Sequence, residues 1–175
     1  MEKSLTWEDV LAIAKKHIGK KSKRLTKSPL SKKAISKKTK RSQKALAKWK
    51  DECHEKDPNL VTLTPNRHNK LFQFALHDKK NRIAYELKLS TANPRVFLDK
   101  LSRKLIIYNT LKEANKDFIG LAEEIAGSDY QPIEKVYIFA YNDFIAEYQK
   151  PIIQHYFNMI EQKFCFHIEI KSLED

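Results

Sequence analysis

Apolar residues along the first fifty or so positions recur at helical spacing. Thr6 can cap a helix with Asp9 three residues on, and Trp7, Val10, Leu11, Ala14 and Ile18 then mark one face, with Gly19 as the stop. This spacing predicts a helix of about three turns. A second helix is predicted over Ser42 to Glu55, with Ala45, Leu46, Trp49 and Cys53 on one side, broken by Asp57-Pro58-Asn59. The period then falls to two. Leu60 to Leu63 reads as a strand closed by Thr64-Pro65-Asn66. Leu71 to His77 and Arg82 to Ser90 read as a hairpin around Asp78-Lys79-Lys80-Asn81. If His77 faces Arg82, then Phe72, Phe74 and Leu76 face Leu87, Tyr85 and Ile83, and one side of the ribbon is wholly apolar.

Asn93-Pro94 opens a long helix with an apolar stripe (Phe97, Leu101, Leu105, Tyr108) and a basic one (Lys100, Arg103, Lys104). A short helix is expected to end near Gly127. Val136 to Tyr141 has the continuous apolar character of a buried strand. Pro151 starts a helix carrying Ile152, Tyr156, Met159 and Ile160, and Phe164 to Ile170 alternates as a last strand. The order implies an α/β fold, with a mixed sheet whose first three strands form a meander flanked by helices. Residues 1–19 supply the first helix of the core, 20–56 a basic arm containing a helix, and 57–175 the main α/β core, one domain overall.

Composition narrows the chemistry. The chain of 175 residues is 41% apolar and 32% charged, enough for one core with some chain outside it. Its three glycines, Gly19, Gly120 and Gly127, cannot be written into a P-loop or a dinucleotide fingerprint. No apolar run is long enough to span a bilayer and no signal segment follows Met1. Cys53 and Cys165 form neither a metal-ligand pair nor a disulfide framework. The expected setting is the cytoplasm, or the nucleoid if the chain binds DNA, with no membrane partner.

The net charge of +12 is unevenly placed. Between Val10 and Lys50 there are sixteen Lys or Arg and no acid, which leaves 18 of the 34 basic residues against all 22 acidic ones, a net of −4. A mildly acidic domain therefore carries a basic arm. Such blocks serve as solubilising tails or bind nucleic acid through its phosphates. The nucleic-acid reading assigns backbone contacts to Lys20, Lys21, Lys23, Arg24, Lys37, Lys38, Lys40 and Arg41, and on the later helix to Lys100, Arg103 and Lys104.

Glu86 and Lys88 lie two residues apart on the hairpin's less apolar face, opposite His77, Ala75, Gln73 and Leu71. A carboxylate there can ligate a hard cation such as Mg²⁺, for which Mn²⁺ would substitute. An adjacent ammonium can hold or deprotonate the attacking water and balance phosphate charge. Gln73, opposite Glu86, and Asn69, further back, are the other oxygen donors of that face. His68-Asn69 and His77 faintly suggest an HNH nuclease, but its second metal-binding segment is missing. His17, His54, His155 and His167 are scattered. Trp7 and Trp49 read as core residues, with base stacking by Trp49 as the minority option.

Tyr85-Glu86-Leu87-Lys88-Leu89-Ser90, on the far strand of a hairpin and followed by a helix, resembles the PD-(D/E)xK nuclease superfamily. That superfamily includes restriction endonuclease-like enzymes and Holliday-junction resolvases. The resemblance extends over Thr6 to Tyr141 in element order, and rests on Glu86 and Lys88 as motif residues. It implies a restriction endonuclease-like core of helix, three strands, helix and strand, and Mg²⁺-dependent hydrolysis of DNA, preferred over RNA, by a homodimer that cuts both strands. It also implies an acid from the first helix, at Glu8 by position. The family's Asp on the preceding strand is absent: Pro65-Asn66 has an amide there. An altered site, an introduced Asp-to-Asn change, and a non-catalytic nucleic-acid-binding protein that keeps the fold are the three alternatives. Glu161-Gln162-Lys163, Glu169-Ile170-Lys171 and Asp78-Lys79-Lys80 repeat the bare spacing, but without a hairpin before and a helix behind.

Overall fold

The computed structural model describes residues 4–18, 32–62, 74–78, 80–89, 94–110 and 132–174, with the side chains of 32–39 and of 94 left aside. The expected short helix near Gly127, the loop at Thr64-Pro65-Asn66, and residues Leu71, Phe72 and Gln73 lie outside the described residues. The chain divides into two compact units, Met1–Pro58 and Asn59–Asp175.

In the first unit, α1 (Trp7–Ile18) starts as its sequence predicts. The Thr6 N–H donates to Asp9 Oδ2 at 3.0 Å, and the Asp9 N–H donates back to Thr6 Oγ1 at 3.4 Å. This reciprocal cap satisfies two donors that the first helical turn leaves open. Helix α2 (Lys32–Lys56) begins ten residues earlier than its apolar spacing indicates. Lys, Arg and Ala are strong helix formers, and no Gly or Pro interrupts the stretch, so the helix extends where no apolar period announces it. The two helices pack through Val10, Ile13 and Ala14 against Ala45, Trp49 and Cys53, all buried. Trp49 Nε1 donates to the Val10 carbonyl at 3.1 Å, so the buried indole keeps its hydrogen bond.

The second unit is a five-stranded mixed sheet with helices, and the chain as a whole is α/β. Its strands are β1 (Leu60–Val61), β2 (Leu76–Asp78), β3 (Ile83–Lys88), β4 (Lys135–Ala140) and β5 (His167–Ser172), adjacent in that order. The first three pair antiparallel, and β3, β4 and β5 pair parallel. Between the parallel strands run α3 (Pro94–Asn109), then α4 (Asn142–Tyr148) and α5 (Pro151–Phe164). Ala84, Val136, Ile138, Ala140 and Ile168 meet Leu98, Leu101, Leu105, Tyr108, Phe144, Phe157 and Ile160 in one core. No helix among the described residues is long and apolar enough to cross a membrane.

Three local expectations are corrected. The hairpin register pairs Leu76 with Tyr85, His77 with Ala84 and Asp78 with Ile83, two residues away from the expected alignment. Asp78 belongs to the strand, and its carboxylate accepts from the Asn81 N–H at 3.1 Å and Nδ2 at 2.7 Å. The turn is thereby moved toward Arg82, which takes a left-handed φ of 59°. An even slip leaves each strand residue on its expected face. Phe74 is the exception. It precedes the bend at Ala75, so alternation does not govern it, and it packs edge-on to Tyr108 at 5.8 Å instead of facing Tyr85.

The last helix also turns differently. Its buried side chains are Phe157 and Ile160, while Ile152, Tyr156 and Met159 are 72%, 44% and 59% exposed. Apolar residues occur all round this helix, so spacing alone did not select a face. It ends at Cys165, a left-handed residue with φ 57°, and β5 begins at His167, later than alternation indicated. Helix α4 carries no side-chain cap at Tyr141 and gave no signal in the sequence.

Candidate active site on the central strand

Strand β3 is the middle of five, hydrogen-bonded to β2 on one side and β4 on the other. Its residues are thus held on both edges, as a positioned site requires. Ala84, Glu86 and Lys88 point to the helix-covered face, since they pair with Val136, Ile138 and Ala140 and Ala84 is part of the core. Tyr85 and Leu87 occupy the opposite face, where Tyr85 stacks on Tyr137 with centroids 5.5 Å apart.

Glu86 is only 9% exposed. Its Oε1 accepts from the Ala75 N–H at 3.3 Å, a buried bond from the bend that precedes β2. A buried carboxylate costs free energy unless its oxygens find donors, and this bond supplies one. Lys88 ends the strand half-buried, its Nζ 5.0 Å from the centre of the Phe97 ring in the first turn of α3. Burial, with the nearby positive charge of Lys100 second, pushes its pKa below the ordinary 10.5. Both groups therefore lie toward the carboxyl ends of β3 and β4, where open α/β sheets leave a crevice for ligands.

His77 is the third polar residue of this face, and it is buried. It pairs with Ala84 across the ladder and meets the Tyr108 ring edge-on at 5.5 Å. Alternation put His77 on the Glu86 side; that the Tyr108 end of α3 would cover it was not readable from spacing.

The other predicted positions separate. Gln73 and Asn69 lie outside the described residues, as do Lys20, Lys21, Lys23 and Arg24. Glu8 is exposed on the first turn of α1, in the N-terminal unit. Lys37 and Lys38 belong to α2, and Lys40 and Arg41 are exposed on it. On α3, Lys100 and Arg103 are exposed and Lys104 is half-buried, with Arg103 Nη2 3.1 Å from Asp99 Oδ2. The Asp99 carboxylate thus offsets part of that basic stripe.

The scattered histidines and the cysteines have other surroundings. His17 bonds Glu52 at 3.0 Å, His54 and His155 are exposed, and His167 bonds Glu161 at 2.9 Å. Cys53 is buried, and burial pushes its thiol up to about 12, whereas Cys165 is exposed.

Among the described residues no group of three or more His, Cys, Asp and Glu could hold a metal ion. Mg²⁺ does not need such a cage, because it binds through one or two carboxylates and completes its shell with water and substrate phosphates. Glu86 fits that requirement as one oxygen ligand. Searches of family models, curated proteins and solved structures give no match to this chain.

Proposed function

We propose that the chain is a Mg²⁺-dependent endodeoxyribonuclease with a restriction endonuclease-like core, in which Glu86 and Lys88 form the working pair. The observation that carries this reading is a buried, backbone-tethered carboxylate with a half-buried lysine of lowered pKa on the same side of the central strand. An idle surface ion pair has neither property. The element order supports it as well, since three strands, a helix and a strand follow the N-terminal helices.

Glu86 would hold the ion through the carboxylate oxygen that its Ala75 bond orients. The bound ion would polarise the scissile phosphate and acidify a water molecule. Lys88 Nζ would donate to that water or to a phosphate oxygen, and its lowered pKa eases the passage of a proton through the amine. Water would add to phosphorus and release a proton to solvent, the bond to the leaving sugar oxygen would break, and that oxygen would take up a proton from solvent. A homodimer in the cytoplasm would present two such sites to the two strands.

Plasmid cleavage with Mg²⁺ tests the proposal. Wild type should nick or linearise the plasmid, and Lys88→Ala should lose about 100-fold in rate, the scale of a lost proton-transfer group. Equal rates in the two proteins would remove Lys88 from the chemistry. Salt-dependent DNA binding with no cleavage in Mg²⁺ or Mn²⁺ would leave the alternative, a non-catalytic nucleic-acid-binding protein with a degenerate nuclease fold.

A further inference from the structure

The nucleic-acid reading of the basic arm does not distinguish duplex from single strand, or say which of its lysines act together. Helix α2 supplies the missing geometry. Lys40, Arg41, Lys44 and Lys48 are all exposed. At 3.6 residues per turn they fall within an arc of about 100°. Ala45, Trp49 and Cys53 occupy the buried side of the same helix. From Lys32 to Lys50 the helix carries no carboxylate, and the row ends where Asp51 and Glu55 follow on the same face. From Lys40 to Lys48 the row covers about 12 Å of helix axis at 1.5 Å per residue.

We propose that this stripe of α2 is a docking surface for the phosphate backbone of duplex DNA. The inference rests on the nucleic-acid reading above and names its surface and its substrate form. Cations repeated along one helix face match a polyanion whose phosphates are also regularly spaced, and B-DNA offers one charge per about 1.7 Å of axis. A single strand would have to straighten along the row, and α2 would return no stacking energy for that ordering. Among Phe, Tyr and Trp the helix has Trp49 alone, which is 0% exposed and bonded to the Val10 carbonyl. Base stacking by Trp49 is therefore set aside. The major groove of B-DNA, about 12 Å wide, admits an α-helix, whereas the deep, narrow groove of A-form RNA does not. A bilayer is disfavoured because Ala45, Trp49 and Cys53 of α2 are already buried.

The experiment is fluorescence anisotropy with a labelled duplex of about two helical turns and with its single strand, in EDTA, from about 0.05 to 0.2 M salt. Wild type should bind the duplex more tightly than the strand. The triple variant Arg41→Gln/Lys44→Gln/Lys48→Gln should show a log–log salt slope shallower by about 2.7, the share of three B-DNA phosphate contacts. A triple variant that removes equal charge elsewhere, Lys150→Gln/Lys163→Gln/Lys171→Gln, should keep the wild-type slope.

An unchanged slope in the α2 variant, equal flattening by both triples, or preference for the single strand would each overturn the docking surface. Circular dichroism checks that α2 persists; if it does not, Lys44→Glu alone carries the test, again with a shallower slope expected. Binding is read in EDTA, where metal-dependent cleavage does not occur. Failure of the nuclease reading, which shows as absent cleavage, is thus separable from failure of this one.

Discussion

Strands β3 and β5 each carry a glutamate and a lysine two residues apart, and the sheet gives the two pairs opposite surroundings. Glu86 lies on the middle strand, buried, with a backbone N–H for a partner. Glu169 lies on an edge strand with its side chain 28% exposed, 3.3 Å from Lys135, 3.4 Å from Lys171 and 3.7 Å from His167. Its pairing with Tyr137 also places it on the other face of the sheet from Glu86, which pairs with Ile138. Desolvation pushes the Glu169 carboxyl upward, but the bond from Lys135 and the charges of Lys135 and Lys171 outweigh it and hold the group below its usual range. On β5 the charges compensate one another. On β3 the lysine is left easier to deprotonate. A spacing of two residues is therefore only a prerequisite for a site; position in the sheet and the helix behind the strand decide what the pair can do.

The largest expected difference is catalytic. Glu86→Gln should reduce Mg²⁺-dependent plasmid cleavage by at least about 100-fold, since it removes the charge that holds the ion and keeps nearly the same shape. Glu169→Gln should leave the rate within about twofold, as a surface ion pair contributes little beyond its own neighbourhood. Equal losses would erase the distinction between the strands, and a loss confined to Glu169→Gln would reverse it.

Proton affinities should move in opposite directions. The like charge of Lys100 contributes to lowering the Lys88 pKa, so Lys100→Gln should shift Lys88 upward toward 10.5. For Lys135, desolvation acts downward, but the bond and charge of Glu169 raise the pKa overall, so Glu169→Gln should shift it downward. Titration of ¹³C-labelled lysine side chains by NMR reads both. The linkage signs differ as well. Between its native pKa and 10.5, Lys88 is more protonated in the unfolded chain, so its contribution to stability rises with pH across that window. The contribution of Lys135 is complete below 10.5 and is lost as pH rises through its raised native value. Shifts of the same sign in the two variants would show that the surroundings of these lysines have been misassigned.

Stability should separate the strands next. Lys88→Met keeps the length of the side chain and removes a half-buried charge, so it should gain about 1 kcal/mol or less in urea denaturation, the exposed half of the group limiting the gain. The same variant should be inactive. A stabilising change that abolishes activity is the mark of a residue kept for function. Clear destabilisation would instead make Lys88 a structural residue.

These contrasts also show what a linear sequence reveals. Period-two alternation gave the faces of β3, and hence the shared side of Glu86 and Lys88, because face depends only on parity. It missed the register by two residues, because register depends on where the turn closes, and the Asp78–Asn81 bonds that close it are local chemistry that spacing does not encode. The cap at Thr6 and Asp9 was legible because both partners lie within one turn. The surroundings of Glu86 and the lowered pKa of Lys88 were not, because they depend on groups distant along the chain, the Ala75 N–H for Glu86 and Phe97 and Lys100 for Lys88. The exposed face of α5 is illegible for the converse reason. Ile152, Tyr156 and Met159 form a regular apolar row, and only the packing of Phe157 and Ile160 into the core shows that the row faces outward.

The smallest effect belongs to the edge strand. Glu169 has its pKa depressed below 4.5 in the native state, so the stability it contributes is present above 4.5 and is lost as pH falls through its native value. At neutral pH and low salt, Glu169→Gln should cost no more than about 1 kcal/mol in urea denaturation, because the pair is partly exposed and partly screened. The cost should shrink at high salt, where the Debye length falls to about 3 Å at 1 M. It should also shrink toward zero at pH values below the native pKa, where wild type is protonated as well and the two proteins carry the same charge. A salt-insensitive cost of several kcal/mol would mean that the carboxylate is desolvated and its partners are fixed, which is the condition assigned above to Glu86. Strand β5, with its cluster of Lys135, His167 and Lys171, would then take the place of β3 in the search for the site.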